Sequence, residues 1–171
     1  MNPGDGSAGV GPAFIHAARQ NLEDCLKKID HCFAQIGDED VWWRPLESAN
    51  SIENIVLHLC GNIRQWIMSG IGGAPDVRDR PSEFAARDPI PKAQLLRKLL
   101  DTVAEADHVL ARFPVDDLLK TRHVQHWDVT AIAAIFDTVS HFVGHTHQIV
   151  YITRLRIGDR YKFLGLDAKS D

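Results

Sequence analysis

The sequence predicts an all-α fold, a four-helix bundle with a long crossover between its second and third helices. Three observations lead there. Four segments repeat apolar residues at the three-and-four spacing of an amphipathic helix, and each would expose that face if it stood alone. A charged stretch punctuated by Gly and Pro, residues 70–88, separates the second segment from the third. The irregular stretch at 116–126 admits a turn or extended pieces, but its charge pattern specifies no sheet.

Residues 1–10 are rich in Gly, Ser and Pro and are expected to be disordered; a single domain is expected over 11–171. The first helix is expected from Gly11-Pro12, where proline suits a first turn, to Ile36, with Gly37-Asp38 as its stop. Val41-Trp42-Trp43-Arg44-Pro45 is short and aromatic, and its proline opposes a regular helix, so it should pack across a bundle end or pocket rim. The second helix should start near Asn50 or Ser51, either of which can cap it, with Glu53 or Asn54 in its first turn. Ile52, Ile55, Val56, Leu59, Ile63, Trp66 and Ile67 form its apolar stripe, and Gly70 to Pro75 stop it. The third helix runs from Pro91 or Lys92 to about Phe113, closed by Pro114. The last is expected from Asp128 or Thr130 to about Ile157, with Ile135, Phe136, Val139, Phe142 and Ile149 among its inward residues.

Composition narrows the function classes. The chain has 171 residues, 44% of them hydrophobic, enough for one sizeable core. Nineteen Lys and Arg against 23 Asp and Glu leave a formal charge of -4, and no long basic run offers a footprint for nucleic acid. No apolar run reaches membrane-spanning length and no signal-like start is evident, so no membrane partner and a cytoplasmic location are expected. Cys25, Cys32 and Cys60 make no Cys-x-x-Cys pair and favour a reducing compartment. The glycines at 70–73 lack phosphate-loop spacing, and neither a His-Glu-x-x-His signature nor a serine elbow is present.

The chemistry-bearing pattern is His141-Phe142-Val143-Gly144-His145. At about 100° per residue the two imidazoles lie roughly 40° apart and one turn from each other, so both can face one metal ion. His147 lies about 160° from His145 and makes a poor third ligand. His58 sits at the corresponding margin of the second helix, beside Ile55, Leu59 and Asn62, and can supply the third ligand if the two helices pack together. The alternative is that each imidazole makes a buried or interfacial hydrogen bond without any metal. Asn62, one turn beyond His58, and Gln148, three residues beyond His145, are candidates to orient a ligand or bound water, or else ordinary surface amides. Trp42, Trp43 and Trp66 either shape an apolar entrance or support the core. His123, His126 and Asp128 form a second polar group that reads first as a helix cap with surface histidines; His16, His31 and His108 have no same-helix partner at ligand spacing.

Most of the chain resembles the DinB-like superfamily, in particular its small uncharacterised DUF1572-type branch. Ser51-Ile52-Glu53-Asn54-Ile55-Val56-Leu57-His58-Leu59 is similar to the region that supplies the first metal ligand, and His141-Phe142-Val143-Gly144-His145-Thr146-His147-Gln148-Ile149 to the region that supplies the other two. The resemblance implies a DinB-like four-helix bundle with metal-ligand roles for His58, His141 and His145, and a homodimer. The family often carries glycine where this chain has His147, a departure that leaves the histidine pair intact. Three imidazoles suit a divalent transition metal such as zinc or nickel with an exchangeable position. Superfamily members with assigned activity include thiol-dependent transferases, which implies a low-molecular-weight thiol cosubstrate and a small electrophile as partners. Metal-dependent hydrolysis and a non-catalytic, metal-stabilised ligand-binding or structural role are the alternatives, since no residue is identifiable from spacing as a general acid or base.

Overall fold

The computed structural model describes residues 9–165, so residues 1–8 of the segment expected to be disordered lie outside the described residues. Val10 already belongs to the first helix, α1 (Val10–Phe33), which buries Ile15, Ala18, Leu22, Cys25, Ile29 and Cys32 at alternating steps of three and four. It ends three residues before the expected Ile36, because the Lys92 ammonium donates to the carbonyls of Phe33 (2.8 Å) and Ile36 (2.6 Å) and closes the end there. Gly37 is extended and leads into a single turn, α2 (Asp38–Val41).

The helix α3 (Ile52–Ile63) is fixed at its start by a reciprocal cap: Asn54 N–H donates to Ser51 Oγ (3.2 Å), and Ser51 N–H donates to Asn54 Oδ1 (3.3 Å). Arg44, from the aromatic segment before it, donates to the same Asn54 oxygen (2.8 Å) and to Ala86 O (3.1 Å), tying the segment to the crossover. From Arg64 to Ile71 the helix continues in the wider π geometry, shown where Gly72 N–H reaches back to Ile67 O at 2.8 Å. The crossover is not wholly irregular as expected. It contains α4 (Arg80–Ala85), capped by Asp79 with Pro81 in its first turn. Next comes α5 (Lys92–Arg112).

The stretch before the last helix forms an antiparallel hairpin, β1 (Thr121–Val124) and β2 (Trp127–Thr130), joined by Gln125-His126 with Gln125 at φ 57°. The fold is therefore predominantly helical with one small two-stranded sheet. Asp128 pairs with His123 inside that sheet and does not cap the helix that follows; Thr130 does, accepting from Ala133 N–H at 3.4 Å. The last helix, α6 (Ala131–Ile157), stops at Gly158, whose φ of 58° favours glycine.

In the bundle α1 packs on α5 and α6, and α3 packs on the same two helices. Leu22, Ile29, Leu59, Leu99, Ile135 and Phe142 are among the fully buried side chains at its centre. Phe136, expected to face inward, is 60% exposed, because Ile135 takes the inward position next to it. Among the described residues no helix is long and apolar enough to cross a membrane, and Cys25, Cys32 and Cys60 are free and buried.

Candidate metal centre

Because α3 and α6 are neighbours, His58 meets the histidine pair of α6. The ring centroids of His58 lie 5.0 Å from those of both His141 and His145, which are 4.4 Å from each other. One nitrogen from each ring lies within 4.8 Å of the other two, and His58 Nε2 and His141 Nε2 approach to 2.9 Å. The helical spacing of His141 and His145 produces their half of this cluster; the packing of α3 on α6 produces the rest.

The other edge of His58 is held from the crossover. Its Nδ1 lies 2.9 Å from Glu83 Oε2, which only accepts, and 3.1 Å from a terminal nitrogen of Arg78, which only donates; the shorter contact, to the carboxylate, is the one that puts the proton on Nδ1 and leaves Nε2 as a lone pair aimed at the cluster. Glu83 is in turn clamped by Arg78, which donates through Nε to Oε1 (2.7 Å) and through a terminal nitrogen to Oε2 (2.9 Å). The pair is deeply buried, with side chains only 3% and 8% exposed. It fits because residue 61 is glycine: a Cβ there would lie 1.9 Å from Glu83 Oε1. Gln65, on the π-helical turn, accepts from Arg78 (2.9 Å) and from Gln125 at the hairpin tip, and donates to Asp76 (2.8 Å). Gly70 lets that tip seat, since a Cβ there would meet Val124 Cγ2 at 2.5 Å.

All three imidazoles favour the neutral form. Burial lowers each of them; His141, pushed further by the other two rings and by Arg78 and Arg80, falls to about 4. Neutral imidazole is the ligating form, so near neutral pH the three rings present lone pairs. Together, these neutral nitrogen donors and the carboxylate behind His58 form a set that can hold a divalent metal ion.

Gln148 Oε1 lies 2.7 Å from His145 Nδ1. Asn62 makes no such contact with the rings. Its Oδ1 is buried without a partner, and the residue lines a recess of about 310 Å³ that also includes His58, Trp66, Arg80, Asp137 and His141. His147 is exposed, on the side of α6 away from the cluster. Trp43 stacks beneath the Arg156 guanidinium, 5.5 Å from the ring centroid, and Trp42 is exposed. His123 pairs with Asp128 (2.8 Å) on the exposed hairpin, away from the cluster; His31 contacts Lys162 O (2.6 Å), and His16 and His108 are exposed. Sequence reasoning missed Arg78, Arg80, Glu83 and Asp137. A signal for Arg80 and Glu83 existed: Asp79-Arg80-Pro81-Ser82-Glu83 has the N-cap, proline and acidic residue of a helix start.

A helical bundle with three histidines gathered between its second long helix and its last is the class this fold and site define. The fold is DinB-like. It is similar to the crystal structure of a conserved protein from Enterococcus faecalis (TM-score 0.69, 19% identity, 84% of this chain and 96% of that one). DinB-like proteins from Bacillus cereus (0.66, 13%, 84% and 90%) and Bacillus subtilis (0.65, 14%, 86% and 96%) are also similar. The chain belongs to the DUF1572 family of proteins of unknown function, whose model matches residues 9–169. No curated protein sequence matches it.

Proposed function

We propose that the protein is a metal-dependent enzyme in which His58, His141 and His145 hold one divalent transition metal, zinc or nickel, and which transfers a low-molecular-weight thiol to a small electrophile. The observation that carries this reading is the convergence of three neutral imidazoles beside an open recess. A bound ion would supply Lewis acidity, lowering the pKa of a thiol or water at its free position. The chain's own residues do the rest. Glu83 holds the Nδ1 proton of His58 and so fixes which nitrogen faces the cluster, while Arg78 offsets the buried carboxylate charge. Trp66 and Asn62 wall the recess in which an electrophile would lie, and Asp137, one turn before His141, offers a carboxylate there as proton acceptor.

Asp137 also favours a second reading, metal-dependent hydrolysis, in which the proton it accepts comes from water. Metal content of the purified protein and of the His58→Ala, His141→Ala and His145→Ala variants tests the ligand set; undiminished occupancy in all three sinks it. Mass analysis of reactions containing loaded protein, common thiols and an electrophile panel, with apo and H141A controls, tests the chemistry. Metal-dependent thioether product supports transfer, and product without thiol selects hydrolysis. A loaded, folded protein without turnover leaves the metal a structural or ligand-binding role.

A further inference from the structure

Two of the three clustered rings carry a hydrogen bond at Nδ1, and the two acceptors differ in charge. His58 Nδ1 meets the Glu83 carboxylate at 2.9 Å, from a separate segment of the chain. His145 Nδ1 meets the side-chain oxygen of Gln148 at 2.7 Å, from the next turn of its own helix. Residues three apart on a helix share a face, so α6 supplies this contact by its own winding, without help from the crossover. An amide can present either its oxygen or its NH2 to a ring nitrogen, and the two choices have opposite consequences. The NH2 would donate, so the ring proton would sit on Nε2. The oxygen accepts, so the proton sits on Nδ1 and Nε2 is left as a lone pair. In α6 it is Oε1 that stands at 2.7 Å. Burial favours the neutral ring, in which one nitrogen carries the proton and the other does not.

We propose that Gln148 is a positioning residue for His145: its side-chain oxygen holds the Nδ1 proton and so leaves the Nε2 lone pair for the cluster. His145 then offers the same nitrogen, Nε2, that His58 and His141 bring to within 2.9 Å of each other. Gln148 does for His145 what Glu83 does for His58, with one difference: it adds no second negative charge behind the cluster. The contact is also exposed, whereas that of His58 is buried, and water can partly replace a lost exposed acceptor. Its removal should therefore cost less than the removal of Glu83. The tautomer of His145 follows from the hydrogen bond alone; that its Nε2 is a metal ligand rests on the proposed metal site.

Proton–nitrogen correlation NMR of the ring nitrogens in the metal-free protein, near neutral pH, reads the tautomer directly, with the His145 signals assigned by their loss in H145A. The unaltered protein should show His145 mainly as Nδ1–H. Gln148→Met keeps the length of the side chain and its helix preference but offers only a weak acceptor, so it should leave His145 a mixture of both tautomers while His58, held by Glu83, is unchanged. Gln148→Glu still accepts and should restore Nδ1–H. Zinc affinity, by competition against a chelating dye, should fall about 3- to 10-fold in Gln148→Met and return at least to its original value in Gln148→Glu. His145 found as Nε2–H in the unaltered protein overturns the proposal, since the amide would then be donating. Zinc binding that is lost in H145A but unchanged in Gln148→Met overturns it too, while the metal reading stands. The tautomer shift in a protein that binds no zinc supports the positioning of the ring and sinks the metal reading instead.

Discussion

Glu83 Oε2 and His58 Nδ1 lie 2.9 Å apart although 25 residues separate them in sequence, so a six-residue helix in the crossover determines which nitrogen of His58 faces the cluster. The carboxylate makes no contact with the other two rings, and it acts on the site through this one bond. Its removal should therefore be felt as lost affinity. Glu83→Gln, close in shape, is expected to weaken zinc binding about 10- to 100-fold with little change in helix content, the usual cost of losing such a partner. Competition against a chelating dye, with circular dichroism on the same samples, measures both; unchanged affinity would remove Glu83 from the site.

Glu83→Ala is a different experiment, because it strands the Arg78 guanidinium, whose side chain is only 3% exposed. Breaking one side of a buried ion pair costs about 3–5 kcal/mol. Urea unfolding of the metal-free variant should show a loss of that order, and the double variant Arg78→Met/Glu83→Ala should recover part of it. A loss as small as that of an exposed pair would mean water reaches the guanidinium.

Gly61→Ala probes the space rather than the charge. The added methyl would overlap Glu83 Oε1, so the carboxylate must move or α4 must lift. Overpacking of this kind costs about 1–3 kcal/mol, and the displaced carboxylate should lower zinc affinity as well. Denaturation and metal titration read the two effects separately, and a variant with wild-type values in both would show that α4 yields freely.

The pH dependence has a defined sign. In the metal-free protein the folded-state pKa of each clustered imidazole lies below its ordinary value of 6.5, so between the two the unfolded chain binds more protons. The stability held by these neutral rings is present in full above pH 6.5 and is lost as the pH falls, for His141 through about 4. The melting temperature of the apo-protein should drop across that window, and the H141A variant should drop less steeply. Equal slopes would mean the rings are as solvated in the fold as in the unfolded chain.

The four long helices could be read from sequence because each buries one stripe, and the pairing of His141 with His145 followed from the same geometry. The π-helical turn could not: Ile63, Ile67 and Ile71 recur every four residues, a spacing that α and π windings serve equally. The hairpin was hidden because Gln125-His126 lacks the Asn-Gly or Asp-Gly signal of a two-residue turn. Phe136 shows the limit of periodicity at the margin of a stripe, where the packing of neighbouring helices decides which of two adjacent apolar residues is covered. Glu83 and Arg78 reach His58 through a crossover whose path no local pattern specifies.

The contact between His58 and His141 spans 83 residues of chain, whereas His141 and His145 are a single helical turn apart. The pair on α6 can thus exist as soon as that helix forms, but the third imidazole arrives only after α3 has docked and most of the chain has been threaded into place. An ion shared by all three would act as a clasp between the early and late parts of the polypeptide. It would close a long loop in the manner of a cross-link, and its release would be coupled to parting α3 from α6. On that view the lifetime of the folded bundle, and not only its equilibrium stability, is governed at the histidines.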